Sequence, residues 1–246
     1  MQYVIGNWKM HTTVGEAVAL AGRIEDGIED LNKEHPIPTV VICPPFTALS
    51  AVKDVVQSRS LQLGAQNVHW ADHGAYTGEI SAAQLAGLVN YVIVGHSERR
   101  EAGETDELVA RKVHAVAKHG LTPVVCVGEE KPTPKADAET EKQLKAAFTE
   151  VDPGKTGTVL VAYEPVWAVG TGEIAEAGHV EDMILHLRKV AEDIGIDVEV
   201  LYGGSVNRDN VERFTDIKGL DGLLVGEASL ADQNFLGIVD AAARHG

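Results

Sequence analysis

Eight short apolar runs, spaced along the whole chain and separated by helical patterns, constrain this sequence more than any other feature. They are Tyr3–Trp8, Thr39–Cys43, Leu61–Ala65, Tyr91–Gly95, Pro123–Val127, Val159–Glu164, Val198–Tyr202 and Gly222–Val225. Each is nearly continuous in apolar residues rather than alternating, as expected for strands covered on both faces of a parallel sheet. Between them, Glu16–Lys33 carries Ala17, Leu20, Ala21, Ile24, Ile28 and Leu31 at close to a helical period. Asp106–His119 and Glu181–Ile194 repeat the pattern, and a last helix is expected near Asn234–Arg244. Parallel strands joined by helices take right-handed crossovers. Eight evenly spaced units in 246 residues predict an α/β fold, a closed (β/α)8 barrel, with a doubly wound open sheet as the alternative. The Pro- and Lys-rich stretch Glu130–Lys135 is too short to separate domains, so residues 1–246 read as a single domain.

Charge narrows the partners. Asp and Glu number 37 against 21 Lys and Arg, a formal net charge of −16. So acidic a chain has no general attraction to nucleic acid or to an anionic membrane, and neither is expected as a partner. An anionic ligand would need a local arrangement that overrides the global field. No apolar run reaches the roughly 18 residues of a membrane span. The first ten residues read as a strand rather than a signal peptide, so a cytoplasmic location is expected. Cys43 and Cys126 each sit in an apolar stretch and read as buried free thiols.

In a barrel of this kind, chemistry gathers at the C-terminal ends of the strands. Strand one ends in Asn7-Trp8-Lys9, strand four in Gly95-His96-Ser97-Glu98, and strand six in Tyr163-Glu164-Pro165. Strands seven and eight run into Gly203-Gly204-Ser205 and Gly226-Glu227-Ala228. Lys9, His96 and Glu164 would then face one pocket as a cation, a polarisable donor and a base. Glycines at the last two ends free backbone N–H groups for a phosphate. Any one of these has an ordinary explanation as a solvated charge, a structural ion pair or a turn. Their convergence on one end of one fold argues for a site. Other patterns carry less. Gly170–Ala175 fits a dinucleotide fingerprint, but no strand runs into its first glycine. Pro-Gly-Lys-Thr at 153–156 lacks the upstream glycine of a nucleotide-binding loop, and His69 and His73 lie in a loop rather than on a helix, so no metal site is expected.

Longer motifs carry a resemblance. Asn-Trp-Lys-Met at 7–10, Gly-His-Ser-Glu-Arg-Arg at 95–100, Tyr-Glu-Pro-Val-Trp-Ala at 163–168, Gly-Thr-Gly at 170–172 and Tyr-Gly-Gly-Ser-Val at 202–206 resemble the triosephosphate isomerase family. Gly-Ala-Tyr-Thr-Gly-Glu at 74–79 and Gly-Glu-Thr-Asp-Glu at 103–107 are similar to two further segments of that family. The match runs in order from the first strand to the last. It implies interconversion of dihydroxyacetone phosphate and D-glyceraldehyde 3-phosphate, a step of glycolysis and gluconeogenesis, on a small phosphorylated sugar with no cofactor and no metal. It implies Glu164 as the base, His96 as hydrogen-bond donor to the substrate oxygens, and Lys9 and Asn7 on the electrophilic side. Ser205, Gly170, Gly204, Gly226 and Glu227 would surround the phosphate. The family is itself the standing example of a neutral histidine donor paired with a glutamate base. Glu98 is expected to orient Lys9 by an ion pair, with direct proton transfer as the alternative, and Arg99 with Glu104 to form a structural salt bridge. Pro165, Val166, Trp167, Ala168, Val169, Gly170, Thr171 and Gly172 would form a lid that excludes water. The resemblance further implies a homodimer in which Thr77 reaches the neighbouring subunit.

The sequence departs from the family pattern in places. Glu227 stands where the family usually has a second glycine, which adds negative charge beside the expected phosphate. Glu173-Ile-Ala175 replaces a more familiar lid hinge, and Arg100–Gly103 is one residue short. These departures keep open an isomerase of a related four-carbon sugar phosphate. A non-catalytic relative that only binds phosphorylated metabolites would have no use for Lys9, His96 and Glu164 together.

Overall fold

The computed structural model describes residues 1–133, 136–152, 157–168 and 175–245. Eight parallel strands close into a barrel in sequence order: β1 (Tyr3–Asn7), β2 (Thr39–Cys43), β3 (Leu61–Ala65), β4 (Tyr91–Val94), β5 (Thr122–Val127), β6 (Val159–Tyr163), β7 (Val198–Tyr202) and β8 (Gly222–Val225). β1 closes the ring, with Tyr3 level with Thr39 of β2 on one side and with Gly222 of β8 on the other. The open-sheet alternative is thereby excluded. The strand ends predicted at Trp8, Gly95 and Glu164 fall one residue earlier, because those residues already turn into the loops.

Closure explains the continuous apolar runs. Ile5, Val41, Cys43, Ile93, Val124, Cys126, Leu160, Ala162, Leu201 and Leu224 fill the barrel interior. Their neighbours, such as Val4, Val40, Ile42, Val92 and Val125, face the helices and join the larger outer core. Both faces of each strand are therefore covered, and an unpaired polar group on either face is costly.

The outer layer comprises α1 (Val14–Glu34), α2 (Leu49–Lys53), α3 (Ala82–Leu85), α4 (Ser97–Glu101), α5 (Asp106–Lys118), α6 (Ala136–Ala147), α7 (Ala177–Asp193), α8 (Glu212–Thr215) and α9 (Asp232–Arg244). α1 begins at a reciprocal cap: Glu16 N–H donates to Thr13 Oγ1 at 3.4 Å, and Thr13 N–H donates to Glu16 Oε2 at 2.7 Å. It ends at His35, whose backbone is extended ahead of Pro36, where helical geometry is sterically disfavoured. α7 starts at Ala177, four residues ahead of the apolar pattern that opens at Glu181. Its first turn holds Gly178 and its cap residue Glu176 makes no side-chain bond, so neither usual start signal is present. No helix among the described residues is long and apolar enough to cross a membrane.

Val169, Gly170, Thr171 and Gly172, with the Pro-Gly-Lys-Thr at 153–156, lie outside the described residues. Cys43 and Cys126 are buried free thiols.

Candidate active site

β1 delivers Asn7 and Lys9. The Lys9 backbone is left-handed (φ 51°), a strained state for a non-glycine residue that persists only when its surroundings over-determine it. Here Lys9 N–H donates to Asn7 Oδ1 at 3.1 Å, and Gln66 Nε2 donates to the Lys9 and Cys43 carbonyls, both at 2.8 Å. The ammonium so placed lies 2.6 Å from Glu98 Oε1. Burial pushes the Glu98 carboxyl up, but the hydrogen bond and charge of Lys9 prevail and hold it below its ordinary range.

β4 is followed by Gly95, whose left-handed backbone (φ 73°) takes the chain out of the strand; a Cβ there would meet Val109 at 3.1 Å. Its N–H donates to Glu104 Oε2 at 3.1 Å. The other Glu104 oxygen pairs with buried Lys112, which also donates to Asn67 Oδ1 at 2.8 Å. The expected Arg99–Glu104 bridge is thus replaced by Glu104–Lys112. Glu104 turns under the strand end, where α5 presents Lys112, while Arg99 stays exposed. His96 follows, and its Nδ1 accepts the Glu98 N–H at 3.2 Å. A nitrogen that accepts carries no proton, so this ring is neutral with its hydrogen on Nε2.

β6 delivers Glu164, whose N–H donates to the Val127 carbonyl at 2.8 Å. Gly203 opposite leaves room for its side chain; a Cβ there would come 2.9 Å from Glu164 Cγ. The carboxylate is only 2% exposed. Its Oε2 accepts the Ser97 N–H at 2.9 Å. Its Oε1 lies 3.1 Å from His96 Nε2 without the alignment of a hydrogen bond, and has no hydrogen-bond partner among the described residues. The Cys126 thiol lies against this group, and burial followed by the Glu164 charge pushes it well above its ordinary value.

These side chains line one open cavity of about 900 Å³ at the C-terminal mouth. Asn7, Lys9, His96, Glu98, Glu164, Gly204, Ser205, Gly226 and Glu227 all border it. Gly226 is close to the ammonium; a Cβ there would stand 3.5 Å from Lys9 Cε. Glu227 opens the single turn Glu227–Leu230 and is exposed. Ser205 Oγ donates to the Ala168 carbonyl at 2.7 Å, joining the β7 loop to the short turn Val166–Ala168 that follows Pro165. Thr77 is exposed on the loop at 74–79 and does not border the cavity.

Two residues with evident positioning contacts escaped the sequence reading, Gln66 and Glu129. Gln66 directly follows β3 and Glu129 lies two residues past β5, so the strand-end rule points to them when applied to all eight strands. Glu129 is fully buried, and its Oε1 accepts from Tyr163 Oη at 2.9 Å and Trp167 Nε1 at 2.8 Å.

Comparison with known proteins gives one consistent result. The family model described as triosephosphate isomerase matches residues 2–242. The triosephosphate isomerase of Roseiflexus castenholzii is 46% identical over 244 residues, covering 95% of this chain and 94% of its own. That of Chloroflexus aurantiacus is 42% identical over 246 residues, covering 96% and 97%. The crystal structure of triosephosphate isomerase from Bartonella henselae superposes with a TM-score of 0.85 at 33% identity, over 98% of both chains. This chain belongs to the triosephosphate isomerase family.

Proposed function

We propose that the cavity at the C-terminal mouth interconverts dihydroxyacetone phosphate and D-glyceraldehyde 3-phosphate, with Glu164 as the base. One observation carries this reading: a buried carboxylate oxygen, Glu164 Oε1, faces a neutral imidazole donor inside a cavity that also holds an ammonium. A buried acceptor left without a hydrogen bond is costly, and such groups cluster where chemistry is done.

The chemistry follows from the groups. Removing a proton from the carbon beside a carbonyl leaves an enediolate, so the site must supply a base on one side and oxyanion stabilisation on the other. Glu164 takes the proton from one carbon and returns it to its neighbour. His96 donates from Nε2 to the substrate oxygens, and Lys9, steadied by Asn7 and Glu98, supplies fixed positive charge where negative charge develops. Neither group needs to reorganise during the step, which is why they act strongly in a partly water-excluded site. Ser205, Gly170 and the backbone N–H groups at Gly204, Gly226 and Glu227 hold the phosphate. Pro165 to Ala168 begin the segment that covers it and keeps the enediolate from losing phosphate to water.

The whole chain acts as one domain, and two copies pair. Met10, beside Lys9, is 97% exposed, and Tyr76 on the loop at 74–79 is 45% exposed. Large apolar side chains left bare on the surface favour a protein partner, and Thr77 on the loop of Tyr76 is the residue that reaches across. The free buried thiols fit the reducing cytoplasm.

A coupled assay on glyceraldehyde 3-phosphate tests the function. Glu164→Gln should lower kcat by roughly 10²–10⁴-fold, the range for a lost general base, while binding of a phosphorylated substrate analogue persists. A rate retained by the variant removes Glu164 from the mechanism. Faster turnover of a four-carbon sugar phosphate would redirect the substrate, and a monomer by light scattering would remove the dimer.

A further inference from the structure

Glu129 is the hub of a hydrogen-bonded chain that runs around Glu164 and ends on α7. Its carbonyl accepts the Val166 N–H at 3.1 Å, and its Oε1 accepts from Trp167 Nε1 and Tyr163 Oη. Tyr163, just before the base, and Val166 and Trp167, shortly after it, are therefore fastened to one buried acid. The chain goes one step further. His179, in the first turn of α7, has its Nε2 3.0 Å from Tyr163 Oη and 3.6 Å from Glu129 Oε1. Tyr163 spends its single hydrogen on Glu129, so its oxygen is the acceptor toward the imidazole, and His179 Nε2–H is the donor. The ring also stands beside Trp167, with centroids 6.1 Å apart.

We propose that His179 is a positioning residue for the isomerisation, donating to Tyr163 so that the strand end bearing Glu164, the turn at Val166–Ala168 and the start of α7 are held to the single buried carboxylate of Glu129. This deepens the reading of Glu164 as the base and rests on it. The physical reason is geometric. Proton transfer demands that the carboxylate be placed to within a fraction of an ångström. Glu164 itself has few restraints, because one of its oxygens is unbonded. Its chain neighbours must then supply the rigidity, and the imidazole completes their network from the first turn of α7.

The test is steady-state kinetics on glyceraldehyde 3-phosphate with the full-length protein. His179→Ala should lower kcat by about five- to tenfold with KM within about twofold, because groups that touch the substrate stay in place. His179→Gln, which keeps an N–H donor, should recover most of that loss. Tyr163→Phe removes the oxygen through which His179 acts, so adding His179→Ala to it should cause no further loss of kcat. Should the alanine variant lack a cooperative unfolding transition, His179→Leu, which fills the space without a donor, takes its place. Wild-type kcat in the donorless variant overturns the inference, as does a glutamine variant no faster than alanine, or full additivity with Tyr163→Phe. A wild-type protein without turnover would overturn the reading of the site beneath it; an active wild type with a silent His179 removes this inference alone.

Discussion

The two ends of the barrel both hold buried or half-buried carboxylates beside cations, yet they are finished differently. At the N-terminal end, Asp221 pairs with Arg188, accepts the Val200 N–H at 2.6 Å, and offers its carbonyl to the N–H groups of Gln2 and Tyr3. Arg188 is used up in turn: its Nε donates to the Gly219 carbonyl at 2.8 Å. At the C-terminal end, Glu164 leaves one oxygen unbonded, and Lys9 adopts a strained backbone over an open cavity. One end spends its polar groups on each other and gains stability. The other keeps hydrogen-bonding capacity in reserve for a ligand. The same fold tolerates both because the barrel core between them is a rigid apolar plug.

If that division holds, changes at the two ends should separate activity from stability. The largest effect is expected from Glu164→Asp, which withdraws the carboxylate by about one ångström and should lower kcat by about 100-fold, with the unfolding midpoint in urea nearly unchanged. A comparable loss of stability would erase the contrast. Asp221→Ala at the other end strands Arg188, and should destabilise by about 2 kcal/mol, less than a fully buried pair because Arg188 is partly exposed. Urea unfolding reads this, and kcat per folded molecule should stay at the wild-type value.

A subtler difference lies in Glu199, beside Asp221 at the N-terminal end. Burial, then the hydrogen bond and charge of Asp221, push its carboxyl up to about 7, against the pull of Arg188. Tyr3, also raised by burial and by Glu199 and Asp221, and Asp197 complete the charged groups around it, with Gln2 Nε2 donating to Glu199 Oε2 at 3.2 Å. An acid that holds its proton more tightly when folded stabilises the fold fully below its unfolded pKa. That contribution is lost as pH rises through the folded value. Thermal melts should therefore show the wild type losing stability relative to Glu199→Gln between about pH 4.5 and 7, and a constant gap above that range. A gap independent of pH would mean that the two carboxyls do not share a proton. The smallest effect is expected at Glu227, exposed at the cavity rim. Glu227→Gly should lower KM by about two- to threefold at low ionic strength, and the gain should shrink as salt screens the charge. An unchanged or higher KM would show that the carboxylate does not oppose the phosphate.

Much of this was legible from the residues alone, and the misses are instructive. The runs at Thr39–Cys43 and Gly222–Val225 coincide with β2 and β8, because burial on both faces leaves a nearly continuous apolar signature. Arg99 was matched to Glu104 by nearness in sequence. The fold instead brings Lys112 beneath the strand end, and a helical neighbour eight residues away is invisible to local pairing. Lys9, His96 and Glu164 stand at strand ends, which are visible in the sequence, and the structure brings them to one cavity. Gln66 and Glu129 occupy the same kind of position, but their amide and carboxylate announce no chemistry by type.

The sequence by itself determined the repeat and the identity of the groups at the strand ends, since periodicity and strand-end residue types are local properties of the chain. Only the tertiary structure decided which nitrogen of His96 carries the proton, that Glu164 keeps an oxygen unbonded, and that His179 meets Tyr163 and Glu129. Those facts depend on ångström distances between side chains far apart in sequence. Such distances are fixed by packing around the whole ring rather than by any stretch of residues.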